Sequence, residues 1–90
     1  MTADQRYSSR SAVVARQVAD ETVLLDLESG TYYGLDLVGT RVWQLLQDGR
    51  SVGEVCDVLV EEYEVERTEL EADIDALIAD LIEKKLVIAC

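Results

Sequence analysis

Hydrophobic and polar residues alternate along the first third of the chain, then fall into a helical period after residue 36. Leu25 and Leu27 alternate with Asp26 and Glu28, and read as the half-buried side of a strand over residues 22–28. Ser29-Gly30 is a turn signal, since glycine takes positive φ at no steric cost. Thr31, Tyr32 and Tyr33 favour a pleated surface and predict a further strand through Leu35. Upstream, Val13, Val14 and Val18 mark a first strand over residues 12–18, followed by the polar turn Ala19-Asp20-Glu21. Three strands joined by short turns predict an antiparallel meander.

Asp36 is placed to cap a helix that starts near Leu37. Val38, Val42, Leu45 and Leu46 share one face of it, with Trp43 beside them, and Gly49 is suited to end it in a left-handed conformation. Ser51-Val-Gly-Glu54 fits a capping box, and Val52, Val55, Cys56, Leu59 and Val60 continue in register as a second helix. Gly53 weakens its first turn slightly. Thr68-Glu-Leu-Glu71 fits a second box. The third helix carries Leu70, Ile74, Leu77, Ile78, Leu81 and Ile82 on one face, with Lys84 and Lys85 near its C-terminus. Residues 86–88 read as a short extended end. Residues 1–11 are polar and read as a flexible lead-in, and residues 12–90 as one domain. The expected class is α+β, a winged-helix-like arrangement of a three-stranded antiparallel sheet followed by three helices.

Composition narrows the function. Half of the 90 residues are hydrophobic, enough for a core, and there is no proline to slow folding. Nineteen acidic residues face eight basic ones, so the formal net charge is −11. Such a surface repels phosphate backbones and anionic membranes, and suits a basic or neutral peptide or protein; acidity also serves solubility alone. With no histidine and only Cys56 and Cys90, neither a standard zinc site nor a disulfide framework is expected, and no cofactor is implied. Cys56 reads as a small buried hydrophobe. No Cys–His or Ser–His pair exists, and Gly30, Gly34 and Gly39 lack the spacing of a phosphate loop. A binding module, not an enzyme, is the expectation. The N-terminus lacks the apolar core of a signal peptide and no run reaches membrane length, so a cytoplasmic location is expected.

Two features are candidates for contact with a partner. The third predicted strand, Thr31, Tyr32, Tyr33, Gly34 and Leu35, contains neither charge nor proline, the usual protections of an open edge. Such an edge accepts an extended peptide as an added strand, or pairs with a second copy of the chain. Leu35 reads more readily as core than contact; Tyr33 fits either. On the third helix, Glu69, Ala72, Asp73, Ala76 and Asp80 form a stripe of small and acidic residues beside the apolar face. On pattern alone that stripe reads first as a solvent boundary, with alanines chosen for helix propensity.

The run Leu24 to Asp36, then Val42-Trp-Gln-Leu-Leu46, Gly49, the Ser51-Val-Gly-Glu54 helix start and Leu81-Ile-Glu-Lys-Lys-Leu-Val87 resemble PqqD-like proteins. The resemblance spans about residues 13–87. Many relatives have Asn where this chain has Asp36, and either residue caps a helix. The family is the peptide-recognition element of ribosomally made, modified peptides. The resemblance implies that a precursor's leader peptide adds as a strand beside the third strand, facing the third helix. Carried onto this chain, the edge is Thr31, Tyr32, Tyr33, Gly34 and Leu35. The opposing wall is Glu69, Ala72, Asp73, Ala76 and Asp80. Among stand-alone members the chain most resembles the recognition subunits of lasso-peptide pathways, which work with a separate leader protease. Related domains serve radical enzymes as peptide chaperones. A winged-helix DNA-binding regulator shares the layout, but acids stand where its recognition helix needs Lys or Arg. A carrier protein would need a free serine at a helix start, and Ser51 is engaged in capping.

Overall fold

The computed structural model describes residues 3–90. The elements follow as β1 (Tyr7–Ser9), β2 (Val13–Val18), β3 (Glu21–Asp26), β4 (Tyr32–Leu35), α1 (Leu37–Gln47), α2 (Val52–Tyr63), α3 (Arg67–Glu83) and β5 (Val87–Ala89). β2, β3 and β4 form the antiparallel meander, with β4 at one edge, and the three helices follow it. The α+β, winged-helix-like expectation therefore holds.

The ends of the chain add a second sheet. β1 pairs antiparallel with β5, Tyr7 opposite Ala89. Tyr7 is only 7% exposed. Residues 7–9 are thus a strand, where composition placed them in a flexible lead-in. Residues before β1 also do structural work. The Val52 N–H donates to the Gln5 carbonyl at 2.9 Å and the Gly53 N–H to the Ala3 carbonyl at 2.8 Å. These are amides at the start of α2 that lack partners within the helix.

The phase of β3 is opposite to the expected one. Thr22, Leu24 and Asp26 are its buried residues, and Leu27 lies beyond the strand at 62% exposure. The buried carboxylate of Asp26 explains how this is tolerated. Its Oδ1 accepts the Glu28 N–H at 2.9 Å, and Arg10 Nη1 stands 3.6 Å from its Oδ2. The Glu28 amide foremost, with Ser29 and Arg10 helping, holds the Asp26 carboxyl below the usual range despite burial. Arg10 also donates to the Lys85 carbonyl at 2.7 Å, so it joins the two sheets.

Helix ends follow the sequence signals with one exception. Asp36 Oδ1 accepts the Gly39 N–H at 2.8 Å, and the Ser51–Glu54 box is complete. Gly30 and Gly49 take φ of 73° and 87°. The exception is the second box. α3 begins at Arg67 with Glu66 as its N-cap and no side-chain cap bond, so Thr68 lies inside the helix.

The core gathers Leu24 and Leu35 from the sheet, Val42, Leu45 and Leu46 from α1, Leu59 from α2, and Ile74, Ile78 and Leu81 from α3. Trp43 is 5% exposed and Cys56 is buried, with its thiol pushed up mainly by desolvation. Ile82, grouped by period with the buried face of α3, is exposed.

The β2–β3 hairpin turns on Ala19, which is held at φ 56°. A left-handed conformation costs an L-residue about 1 kcal/mol or more relative to glycine. Ala19→Gly is therefore expected to raise unfolding stability by about 0.5–1 kcal/mol, read from the midpoint of urea denaturation.

Candidate functional site

β4 is one of the two edge strands of the three-stranded sheet, β2 being the other. Its partner β3 places Thr22 opposite Leu35, Leu24 opposite Tyr33 and Leu25 opposite Tyr32. The Asp26 N–H donates to the Thr31 carbonyl at 3.0 Å. Bonded pairs recur every second residue in an antiparallel ladder, so Tyr33 and Leu35 turn their main-chain groups toward β3. The N–H and C=O of Tyr32 and Gly34 consequently point away from the sheet, at the open edge.

Across from β4 runs α3, and between them lies a groove of about 410 Å³. Leu35, Val42 and Ile74 give it an apolar floor, Tyr33 and Leu77 stand at one end, and Val38 and Asp73 at the other. Asp36 also lines it. Gly39 lets α1 approach β4: a Cβ there would lie 3.3 Å from Leu35 Cδ2 and 3.2 Å from Asp36 Oδ1. A smaller apolar hollow of about 210 Å³ adjoins the groove past Val38 and Asp73, lined by Tyr63, Val65, Glu69 and Leu70.

One side-chain bond crosses from the edge strand to the helix. The Tyr33 hydroxyl donates to Asp80 Oδ2 at 2.7 Å. Asp80 Oδ1 also accepts from Lys84 Nζ at 3.2 Å, and that ammonium stands 5.5 Å from the centre of the Tyr33 ring. Desolvation first, then the bond to Asp80, pushes the Tyr33 phenol up to about 12. The bonds from Tyr33 and Lys84 hold Asp80 below the usual carboxylate range. At neutral pH the phenol is protonated and the carboxylate charged, which is the state that bonds.

The residues singled out from sequence divide accordingly. Tyr33, Gly34, Leu35 and Asp73 meet at the groove, and Asp80 joins them through Tyr33. Tyr32 belongs to the edge by its main chain only. Its side chain shares the outer sheet face with Leu25 and is 69% exposed. Thr31 is spent on the turn: its carbonyl receives Asp26, its N–H donates to Ser29 Oγ at 3.3 Å, and its hydroxyl receives Ser29 Oγ at 2.9 Å. Glu69 lines the second hollow, not the groove, and Ala72 and Ala76 line neither. Val38, Val42 and Leu77 line the groove although their period assigned them to the core. The available signal was that Val38 and Leu77 widen the apolar stripes of α1 and α3 beyond what burial uses. Among the described residues no group of side chains is arranged to hold a metal ion, and no helix is long and apolar enough to cross a membrane.

Fold and groove together define a small winged-helix-like domain whose open sheet edge faces a helix. The family model described as coenzyme PQQ synthesis protein D (PqqD) matches residues 21–87, and the chain belongs to that family. No curated protein is similar enough to count as a match. Two solved structures are. One, described as TbiB1 in complex with the TbiA(beta) leader peptide, is 42% identical, with a TM-score of 0.84 over 88% of this chain and 92% of that one. The other, described as lasso peptide synthetase B1 complexed with the leader peptide, is 37% identical, with a TM-score of 0.86 over 92% of this chain and 98% of that one.

Proposed function

We propose that this protein captures the leader peptide of a ribosomally made precursor in lasso-peptide biosynthesis and delivers it to a separate leader protease or other modifying enzyme. The leader adds as a strand to β4. Its main chain bonds the outward N–H and C=O of Tyr32 and Gly34, and every second side chain enters the groove against α3. The observation that carries this reading is the unpaired β4 edge beside an apolar groove, in a chain that resembles two leader-bound proteins. Main-chain bonds give affinity to any extended peptide. The apolar floor selects aliphatic or aromatic side chains, and Asp36 and Asp73 favour a basic neighbour. Holding the leader raises the effective concentration of the attached core peptide at the enzyme to roughly the millimolar range. The protein itself takes no chemical step in this scheme, requires no cofactor, and works in the cytoplasm. With no leader present, the same edge is open to a second copy of the chain.

The test is fluorescence anisotropy of a labelled leader from a precursor gene beside this one. Saturation is expected at submicromolar to low-micromolar protein, on the order of −8 kcal/mol of binding. Unlabelled leader should compete and a scrambled leader should not. Absence of binding, with and without the neighbouring enzyme, by a chain shown to be folded would overturn the assignment.

A further inference from the structure

Main-chain pairing along a strand edge repeats every two residues, so it does not by itself choose among peptide registers two residues apart. Something beside the edge must fix where the peptide stops. The groove's lining on α3 comprises Asp73, Ile74 and Leu77, and ends there. Asp80, next along that side of the helix, is bonded to the Tyr33 hydroxyl at 2.7 Å. The bond thus spans the gap between β4 and α3 at one end of the groove. The other end is not closed in this way, since Val38 and Asp73 are shared with the adjoining hollow.

We infer that Tyr33 and Asp80 form a positioning pair: their bond closes one end of the groove and fixes the register in which an added peptide strand pairs with β4. This rests on the leader-binding reading above. Tyr33 is suited to the task because its main chain is tied to β3, which leaves the ring to form the end wall. Asp80 is held in turn by Lys84 from the next turn of α3. A peptide side chain that enters the groove meets the wall at the Tyr33 end. Beyond that wall no further peptide side chain has space between strand and helix, and only the main chain continues along the edge past Tyr32. Fixing the register also fixes how far the core peptide extends from the domain, which a cleaving partner would read as a distance.

The experiment uses the intact chain and the labelled leader, with a photoreactive phenylalanine analogue placed at successive leader positions. Wild-type protein should crosslink to Leu77, at the walled end of the groove, from one leader position alone. Tyr33→Phe keeps the ring and removes the bond. It should weaken binding about three- to tenfold, and spread the crosslinks to positions two residues away. Asp80→Ala should do the same, and Tyr33→Phe with Asp80→Ala should be no worse than either alone, since both remove one bond. Asp80→Asn retains an acceptor and should restore the single pattern. If Tyr33→Phe binds as wild type with an unchanged crosslink pattern, or if the two single effects add, the positioning role is overturned while leader binding stands. If wild-type protein binds no leader, both fall together.

Discussion

Gly34→Pro is expected to reduce leader affinity tenfold or more while the domain stays folded. Gly34 opposes Val23 at a position of the β3–β4 ladder where neither residue bonds the other. Its N–H therefore contributes nothing to the sheet and is a donor reserved for whatever adds to the edge. Proline removes that donor and places its ring at the edge where the peptide backbone must lie. Edge strands accept proline where the lost N–H faces outward. A missing net hydrogen bond is worth about 1 kcal/mol, and the steric block adds to it; tenfold in affinity is about 1.4 kcal/mol. Gly34→Ala is the control. A Cβ at this position has no atom within 4 Å, and the N–H is kept. It should bind within about twofold of wild type. Leader titration against both variants, with thermal melts to confirm folding, reads the result. Equal affinity in the proline variant would remove the β4 edge as the binding surface.

Leu24→Ala carries the largest expected cost to stability. Leu24 is fully buried on the middle strand of the sheet, opposite Tyr33, and faces the core shared with α1. Truncation removes its buried methyl groups and leaves a cavity that packed neighbours fill only in part. The expected loss is about 3 kcal/mol within a usual range of 2–5. Small domains have only about 5–10 kcal/mol to lose. The midpoint in urea should fall sharply with little change in slope, and the melting temperature should drop by about 12–24 °C. Leu27→Ala, outside the core, should change stability by less than about 0.5 kcal/mol. This contrast tests the observed phase of β3. If the buried side were the one bearing Leu25 and Leu27, the order of the two variants would reverse.

That phase shows where sequence reasoning runs out. Val23-Leu24-Leu25 is apolar in both alternations, so the strand has no unique buried side until Asp26 is placed. A carboxylate on the inner face looks wrong from the strand alone. It becomes acceptable through the Glu28 amide and through Arg10, a residue from another part of the chain. β1 was hidden for a related reason. Tyr7 sits among polar residues, and its strand exists only because β5 arrives from the opposite end of the chain. Local signals fared better. Asp36, Ser51, Glu54 and Gly49 act within a few residues of themselves, and their roles were legible.

The groove divides along the same line. Tyr33, Gly34, Leu35 and Asp73 follow from an unprotected edge and a helix stripe, which are one-element patterns. Ala72 and Ala76 share that stripe, but successive residues turn by about 100° around a helix. They point past the groove, whereas Leu77, read as core, points into it. Thr31 fits the strand by propensity but completes hydrogen bonds inside the turn. The Tyr33–Asp80 bond spans 47 positions, and neither residue alone signals the other.

Trp43, enclosed by the core on α1, is the only tryptophan in the chain. Its indole emits from an environment nearly free of water when the domain is folded, and from water when it is not. The protein thus contains its own optical reporter. Unfolding of every variant described above can be followed by the colour of its intrinsic fluorescence, while the peptide's label reports binding in a separate spectral window.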